Sequence, residues 1–428
     1  MTCCSAAFRL RRNLKLSYIA TVCGCAFVGG FGMEVTVTGG AGYRPASLTY
    51  DANDAAFINA QALAATIDAT FSSAIYYNPA KPQSGHAGGY LIVQQADAQN
   101  VINAKGFGAI VDENNGVSST VLGGGAAQQT VLAGDGGLTF AGFGGNITVA
   151  AGGGNNFITF GNFGGDDAVY TSTGNDTINA GSANVTISAG AGDNLIRLGS
   201  GTAQVMSTGS DSIKLGDGTA SITVGAGGSD TIVGATSYSG SGYNLQFVGG
   251  DLASTIRGGA GSYSVFGGAG GGYFTGGSAG NNFIQGGSGA VTIIGGGAGD
   301  SLFGGSGGAK ILAGAGNETL AGGGSNTLLL GGTGNDTFLV GQGSETVRAG
   351  SGSDLFSYTN GNGGIGVTDV IQNFGANDFI HLVGFDPNAV SEAVASFTTN
   401  GVSGSFTLED GTRVVLVGVT HLTSQNFH

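Results

Sequence analysis

The chain has 428 residues, and 89 of them are Gly, about three times the ordinary share. Collagen is excluded because there are only 4 Pro and that triple helix needs Gly at every third position with abundant Pro. The shares of 41% hydrophobic and 9% charged residues argue against a solvated, disordered chain. The net charge of −14 disfavours nucleic-acid binding through a basic face.

Residues 1–32 differ from the rest of the chain. They hold four basic side chains, no acidic one, and every Cys of the protein, namely Cys3, Cys4, Cys23 and Cys25. The basic stretch followed by an apolar run resembles a signal peptide, and the run is short for a membrane span. Two interpretations stay open, a targeting segment or a mis-called start upstream of Met33. We expect no membrane span in the mature protein, whose Cys-free body uses neither disulfides nor thiolate metal sites.

Residues 33–123 are predicted to form a small α+β or β-rich capping domain at the N-terminal end of the repeats that follow. Glu34–Thr38 alternates as a strand does, and Asp54 is a candidate N-cap for a helix that runs to about residue 70. Tyr90–Val93 and Gly108–Val111 are predicted strands. No ligand signature stands out in this domain.

Residues 124–359 repeat with a period of nine, apart from one interruption at 234–248. The stretch from Gly286 to Ser357 divides without a gap into nonapeptides such as GGSGAVTII, GGGAGDSLF and GGTGNDTFL, and we count about 24 units in all. The eighth position is apolar in every unit, from Val131 to Phe356. Because this spacing among glycines does not suit a helix, each unit is predicted to be a turn and a short strand that stack as a solenoid.

The nonapeptide Gly331–Leu339, GGTGNDTFL, resembles the G-G-x-G-x-D-x-U-x repeat of RTX (repeats-in-toxin) proteins, also called haemolysin-type repeats. The resemblance implies an all-β fold, a right-handed parallel β-roll or β-helix solenoid with two nonapeptides per coil. It also implies Ca²⁺ between coils, held by the sixth-position Asp and the carbonyls of the turns. Gly331, Gly332, Gly334 and Asp336 are therefore candidate residues of a calcium site.

The sixth position alternates between polar and apolar side chains with a period of about 18 residues. The interleaved units carry residues such as Ile147, Val185 and Ala309, whereas the polar set supplies oxygen atoms, of which Ca²⁺ takes six to eight. We therefore predict calcium along one edge of the roll, apolar packing along the other, and folding that depends on metal. The candidate ligands of the polar set are Asn156, Asp176, Asn194, Asp211, Asp230, Asn282, Asp300, Glu318, Asp336 and Asp354.

A second interpretation of these side chains stays open. Asp and Asn that follow Gly also favour turns, because they accept hydrogen bonds from the nearby backbone. Asp167 and Glu345 lie on the predicted apolar edge. For these two residues we expect a role in turns or in solvation.

Residues 360–428 lose the nine-residue period and are predicted to form a β-rich C-terminal cap. A short helix is predicted at Pro387–Phe397, and Ser405–Leu408 and Arg413–Val417 flank a hairpin turn at 409–412. By resemblance to the RTX family, this region shields the last coil and carries an uncleaved signal for type I secretion.

An enzyme is not expected. Ser278 and Ser306 fit G-x-S-x-G only as the Gly and Ser content predicts, and they fall in repeat turns rather than on a strand-to-helix elbow. H-E-x-x-H is absent from the sequence, and the four His, of which His86 is predicted to be a surface residue, are scattered.

The sequence predicts a secreted, extracellular or cell-surface, calcium-binding repeat protein with a structural, surface-matrix, biofilm-matrix or adhesive role. Calcium is the expected cofactor; self-association and cell-surface polysaccharide are the partners considered, and nucleic acid is not expected. A less favoured alternative is a small enzyme in residues 33–123. Another is a glycan- or ice-binding module that uses the outward Thr side chains Thr130, Thr139, Thr148, Thr177, Thr186 and Thr231.

Overall fold

The computed structural model describes residues 33–39, 44–50, 54–81, 89–98, 100–162, 164–324, 327–340 and 343–428. The predicted targeting segment at 1–32 and His86 lie outside the described residues. The body of the protein is a parallel β-solenoid of about 15 turns. The predicted all-β solenoid is therefore confirmed.

The N-terminal module consists of an antiparallel hairpin, β1 (Met33–Val37) and β2 (Ala46–Tyr50), and helix α1 (Ala55–Thr70). The helix begins where predicted, because Asp54 Oδ1 accepts the backbone N–H of Phe57 at 2.8 Å.

Each coil adds one strand to each of two parallel sheets. Sheet 1 contains β3 (Ser73–Tyr76), β4 (Gly89–Val93), β6 (Ala109–Asp112), β8 (Gln128–Ala133), β10 (Asn146–Ala151), β12 (Asp166–Thr171), β14 (Asn184–Ala189), β16 (Thr202–Ser207), β18 (Thr219–Val224), β20 (Tyr243–Val248), β22 (Ser262–Phe266), β24 (Phe283–Gly287), β26 (Ser301–Gly305), β28 (Thr319–Ala321), β30 (Thr337–Val340), β32 (Leu355–Thr359) and β34 (Phe379–Val383). Sheet 2 contains β5 (Val101–Asn103), β7 (Ser119–Leu122), β9 (Leu138–Gly142), β11 (Phe157–Phe160), β13 (Thr177–Asn179), β15 (Leu195–Arg197), β17 (Ser212–Lys214), β19 (Thr231–Val233), β21 (Ser254–Arg257), β23 (Gly272–Thr275), β25 (Val291–Ile294), β27 (Ala309–Ala315), β29 (Thr327–Thr333), β31 (Glu345–Ser351) and β33 (Thr368–Gln372), and is extended by β35 (Thr398–Thr399), β36 (Gly404–Thr407) and β37 (Arg413–Leu416).

The core lies between the two sheets and is built from the eighth position of each repeat. Ile158 pairs with Ile178 in sheet 2, Ile284 pairs with Leu302 in sheet 1, and all four side chains are fully buried. Burying one such side chain stabilises a fold by about 1.5–3 kcal/mol. The burial of one side chain is smaller than the conformational entropy lost when nine residues are ordered, so a single nonapeptide is unstable and only the stack is stable.

The solenoid begins earlier and ends later than the predicted boundaries at residues 124 and 359. Leu91, Ile110 and Val131 are in register on adjacent strands of sheet 1, so residues 89–122 are coils and not part of a separate cap. These coils form without Gly-rich nonapeptides. Parallel stacking requires only one inward apolar residue per strand, and these strands supply it. After the repeats, β33 and β34 continue the two sheets.

The N-terminal module packs against the side of the solenoid, whereas a cap at its end was predicted. Helix α1 and the hairpin share a core with Leu132 and Ala150 on the outer face of sheet 1. The Tyr50 hydroxyl donates a hydrogen bond to the Ala150 carbonyl at 2.9 Å. The apolar side of the helix is buried against this outer face of sheet 1, and this burial explains why the N-terminal module lies at the side of the solenoid.

The predicted interruption at 234–248 contains a regular strand of the solenoid. Strand β20 joins sheet 1, where Phe247 pairs with Ile222 and fills the eighth position, fully buried. Only the preceding loop interrupts the period, and the interruption therefore contributes one additional half-coil.

The C-terminal region follows its prediction. Helix α2 (Ala389–Ser396) lies within the predicted range, and β36 and β37 form the predicted antiparallel hairpin. Strand β37 also pairs in parallel with β33, so the hairpin extends sheet 2 and buries Phe406 and Leu416 over the last coil. No helix within the described ranges is long and apolar enough to cross a membrane.

Candidate metal ladders

The sixth-position side chains stack from coil to coil and form two ladders, each almost completely buried. The N-terminal ladder precedes the strands of sheet 2, and the C-terminal ladder precedes those of sheet 1. The N-terminal ladder consists of Asn156, Asp176, Asn194, Asp211 and Asp230. The C-terminal ladder consists of Asn282, Asp300, Glu318, Asp336, Asp354 and Asp378.

The two ladders lie on opposite edges of the solenoid, so the prediction of a single polar edge is wrong. Ile232 at the end of the first ladder belongs to sheet 2, whereas Ile284 at the start of the second belongs to sheet 1. The additional half-coil formed by β20 exchanges the two edges. If the repeats are counted without β20, every later residue is assigned to the wrong edge of the solenoid.

The N-terminal ladder contains its own hydrogen-bond donors. Asp176 Oδ1 accepts the backbone N–H of Asn156 at 2.7 Å and its side-chain Nδ2 at 2.9 Å. Asn194 donates to Asp211 Oδ1 in the same way, at 3.0 and 2.8 Å. The Ser207 hydroxyl donates to Asp230 Oδ1 at 2.9 Å. A side-chain amide or hydroxyl therefore donates to one oxygen of each of these three carboxylates, while Oδ2 of each is buried without a hydrogen-bond partner.

The C-terminal ladder has such a donor only at its first step. Asn282 Nδ2 donates to Asp300 Oδ1 at 2.8 Å, and the next four ladder residues are all carboxylates. Along the ladder, the Asp carboxylates among these four accept hydrogen bonds from the backbone of the preceding coil. Asp336 Oδ1 accepts the backbone N–H of Glu318 at 2.9 Å, and Asp354 Oδ1 accepts the backbone N–H of Asp336 at 2.8 Å. Oδ2 of Asp300 and of Asp336, and both carboxyl oxygens of Glu318, are buried without a hydrogen-bond partner.

These carboxylates are repulsive neighbours. Adjacent strands lie about 4.8 Å apart, and in the described parts of the chain the only ion pair joins Arg44 to Glu113. A column of buried acids without a counter-charge is costly unless a proton or a cation neutralises it.

Burial raises the pKa of the ladder carboxyls. The pKa of Asp230 and that of Asp354 are each raised to about 6, with desolvation as the largest cause in both. Desolvation and then the adjacent Asp336 carboxyl raise the pKa of Glu318, and desolvation raises that of Asp336. The folded chain without metal therefore holds these groups in an environment that disfavours their charge.

The residues present fit a hard cation. A Cβ at Gly295 would lie 2.5 Å from the Ala313 carbonyl oxygen and 2.6 Å from Asp300 Oδ2, so both oxygens face the same small space. At Gly331 a Cβ would overlap the Ala349 carbonyl oxygen and Asp336 Oδ2. Carboxylate and main-chain carbonyl oxygens are the ligands that Ca²⁺ takes.

The predicted glycines of the calcium turn fall in this arrangement. Gly332 and Gly334 have φ of +102° and +126°, a backbone conformation that favours glycine. Among the described residues no three His, Cys, Asp or Glu side chains converge on one point. Any ion in a ladder would therefore take one or two carboxylates from adjacent coils and complete its shell with carbonyls of the turns.

Two buried acids, one in a ladder and one on the opposite edge, were missed by sequence reasoning. Asp378 ends the C-terminal ladder and accepts the Asp354 N–H at 2.9 Å. Asp369, whose pKa burial raises to about 7, accepts the backbone N–H of Glu345 at 3.0 Å on the opposite edge. Each follows the pattern of an acid two residues before an inward apolar residue, Ile380 or Ile371, which is the signal that finds them.

The role in turns or in solvation predicted for Asp167 and Glu345 is wrong, because these residues lie in strands β12 and β31. The two side chains are only 6% and 2% exposed. Asp167 Oδ1 accepts the backbone N–H of Ile147 at 2.8 Å, which is the bond that the ladder residues make.

The comparison with protein families agrees with this geometry. Residues 170–204, 276–308, 312–344, 322–356 and 330–365 match the model of the RTX calcium-binding nonapeptide repeat, which describes four copies of the repeat. The matched segments cover most of the C-terminal ladder and part of the N-terminal ladder. No curated protein matches the chain.

Proposed function

Since the chain carries RTX calcium-binding nonapeptide repeats, we propose that it is a secreted protein that completes its fold on Ca²⁺ outside the cell. Its role is structural or adhesive, as a component of a surface or biofilm matrix, and it is not an enzyme. Extracellular calcium modules bind at about 10⁻⁴ to 10⁻³ M. At that affinity the C-terminal ladder is empty in the cytosol and loaded outside.

The observation that carries this proposal is the C-terminal ladder, in which four consecutive coils place Asp300, Glu318, Asp336 and Asp354 in a buried column without an amide donor between them. Charged at neutral pH, this column opposes folding. Bound to Ca²⁺, the same column joins adjacent coils, so metal binding contributes directly to the free energy of folding. A rod that becomes rigid only after export suits a matrix protein.

The experiment is a calcium titration of the whole chain. Circular dichroism, small-angle scattering and a thermal melt are recorded in chelator and at increasing Ca²⁺, with Mg²⁺ at equal ionic strength as the control. We expect Ca²⁺ alone to increase the strand signal, decrease the radius of gyration and raise the melting temperature. Equal compactness and melting in chelator and in Ca²⁺ would refute calcium-coupled folding.

Location is tested separately. The producing cells are fractionated into cytosol, surface wash and medium, and the chain is detected by antibody, with and without deletion of residues 360–428. We expect the protein in the wash or medium, and its retention in the cytosol after the deletion. Accumulation of the full chain in the cytosol would contradict secretion.

The alternative of a glycan- or ice-binding array of Thr is supported less well. Thr130, Thr148 and Thr186 lie on sheet 1, whereas Thr139 and Thr177 lie on sheet 2, with Phe157 between them along that sheet. Because the hydroxyls are divided between two faces, they do not form one flat array.

A small enzyme in residues 33–123 is also supported less well. Most of that range from β4 onward belongs to solenoid coils. Outside that range, the two serines that fit G-x-S-x-G, Ser278 and Ser306, lie in turns between solenoid strands.

A further inference from the structure

The basic residues of the solenoid strands all lie on one face. They occupy outward positions of sheet 2 or of the hairpin that extends it, and each is exposed; the strands of sheet 1 contain no Lys or Arg. In a protein with 27 acidic and 13 basic residues, this distribution makes the outer face of sheet 2 basic. The residues are Arg197, Lys214, Arg257, Lys310, Arg348 and Arg413.

Among the described residues none of these cations forms an ion pair, since the one ion pair there joins Arg44 to Glu113. Arg197 donates to Asn179 Oδ1 at 3.3 Å, and Arg348 donates to Gln372 Oε1. These partners are neutral amides. The acids within the strands of sheet 2, Glu345 and Asp369, point into the core and are buried. Exposed cations held in place without a counter-charge are available to an external anion.

Three of these cations lie in one row, in which Val233 occupies the position between the second and the third. Arg197 pairs in register with Lys214, Lys214 with Val233, and Val233 with Arg257. At about 4.8 Å per strand the row extends over roughly 14 Å along the solenoid axis. Two positions earlier on the same strands, and therefore on the same face, lie the hydroxyls of Ser212, Thr231 and Thr255.

We propose that this face of sheet 2 binds a linear anionic polysaccharide that lies along the solenoid axis. Because the strand spacing is comparable to the length of one sugar residue, carboxylates or sulfates along the polysaccharide can meet Arg197, Lys214 and, one strand beyond Val233, Arg257. The row of hydroxyls bonds to the ring hydroxyls. This inference rests on the proposed matrix role and names its partner. A nucleic acid fits less well, since its phosphates are spaced about 3.4 Å along a strand, closer together than adjacent strands of the sheet.

The test measures binding of the calcium-loaded full chain to immobilised polygalacturonate and dextran sulfate, with uncharged dextran and single-stranded DNA as comparisons. We expect binding to both polyanions that weakens as salt increases, and no binding to dextran. The double variant Arg197→Gln/Lys214→Gln is expected to bind about tenfold more weakly, from two exposed charge pairs of up to about 1 kcal/mol each.

A charge-matched control separates this face from net charge. Lys81→Gln/Lys105→Gln removes the same charge from loops off the sheet and is expected to bind as the wild type does. Absence of polyanion binding, equal loss in both double variants, or tighter binding to DNA would overturn the inference. Circular dichroism on the same samples reports calcium-coupled folding, so loss of polysaccharide binding with intact folding leaves the calcium proposal standing.

Discussion

Replacing Asp354 by Asn should stabilise the fold without calcium and weaken the stabilisation that calcium gives. Asp354 is 1% exposed, and burial raises its pKa from 3.8 to about 6. The difference of about two pH units, at about 1.4 kcal/mol each, gives an upper value of roughly 3 kcal/mol for keeping it charged. Allowing for solvent screening at the edge, we take about half, or roughly 1.5 kcal/mol.

The amide retains the structural bond and removes the charge. Asn Oδ1 can still accept the Asp336 N–H, which Asp354 accepts at 2.8 Å, and its Nδ2 can donate along the ladder as Asn282 does. In chelator at about pH 7.5, Asp354→Asn should therefore be about 1.5 kcal/mol more stable to urea than the wild type. At about pH 4.5 most of this gain should disappear, because the folded wild type already holds the proton.

Calcium should cancel or reverse this difference. At about 10 mM Ca²⁺, one site of 10⁻⁴ to 10⁻³ M affinity stabilises the fold by roughly 1.4–2.7 kcal/mol, and the variant should lose much of that gain. Asp251→Asn, an exposed turn carboxyl, is the control and should change neither condition. If Asp354→Asn is less stable than the wild type in chelator, or responds to calcium as the wild type does, the reasoning about the ladder is wrong.

Three further outcomes follow from the same geometry. Without metal, the urea midpoint should rise as pH falls from about 7 to 5, because the raised pKa values of Asp230 and Asp369 make the folded chain bind more protons than the unfolded one; a midpoint that falls would contradict this. In chelator, backbone amides in the coils of the N-terminal ladder should be protected from hydrogen exchange, whereas those in the coils of the C-terminal ladder should exchange. Calcium should restore the protection of the C-terminal coils. Equal exchange in both sets of coils would contradict the idea that side-chain donors stabilise only the N-terminal ladder. Gly332→Ala, at φ +102° and with a Cβ that would overlap the Gly314 carbonyl, should cost more than 1 kcal/mol in thermal melts, whereas Gly242→Ala, which meets nothing within 4 Å, should cost little.

The periodic part of the fold could be predicted from the sequence because each repeat encodes its own geometry. The inward residues such as Ile158 and Ile284, the helix cap at Asp54 and the C-terminal hairpin all follow from local patterns. The early coils around Leu91 were missed because they use the same inward position without the glycines that mark it. These coils are held by pairing between distant strands, which no local pattern reveals.

The edge on which the acids lie could not be predicted for a different reason. Which side a residue faces depends on the number of half-coils that precede it, and the loop before β20 hides one of them. Phe247 resembles one aromatic residue of an irregular segment until its pairing with Ile222 is known. The sequence therefore predicts every ladder residue except Asp378, but not how the two ladders are arranged in space.

The exchange of edges at β20 has a mechanical consequence. A rod whose coils draw together along one margin curves toward that margin. Ions loaded on the N-terminal ladder and on the C-terminal ladder would curve their halves in opposite directions, so the two deflections offset each other. Opposed deflections of equal size would leave the two ends of the rod nearly parallel.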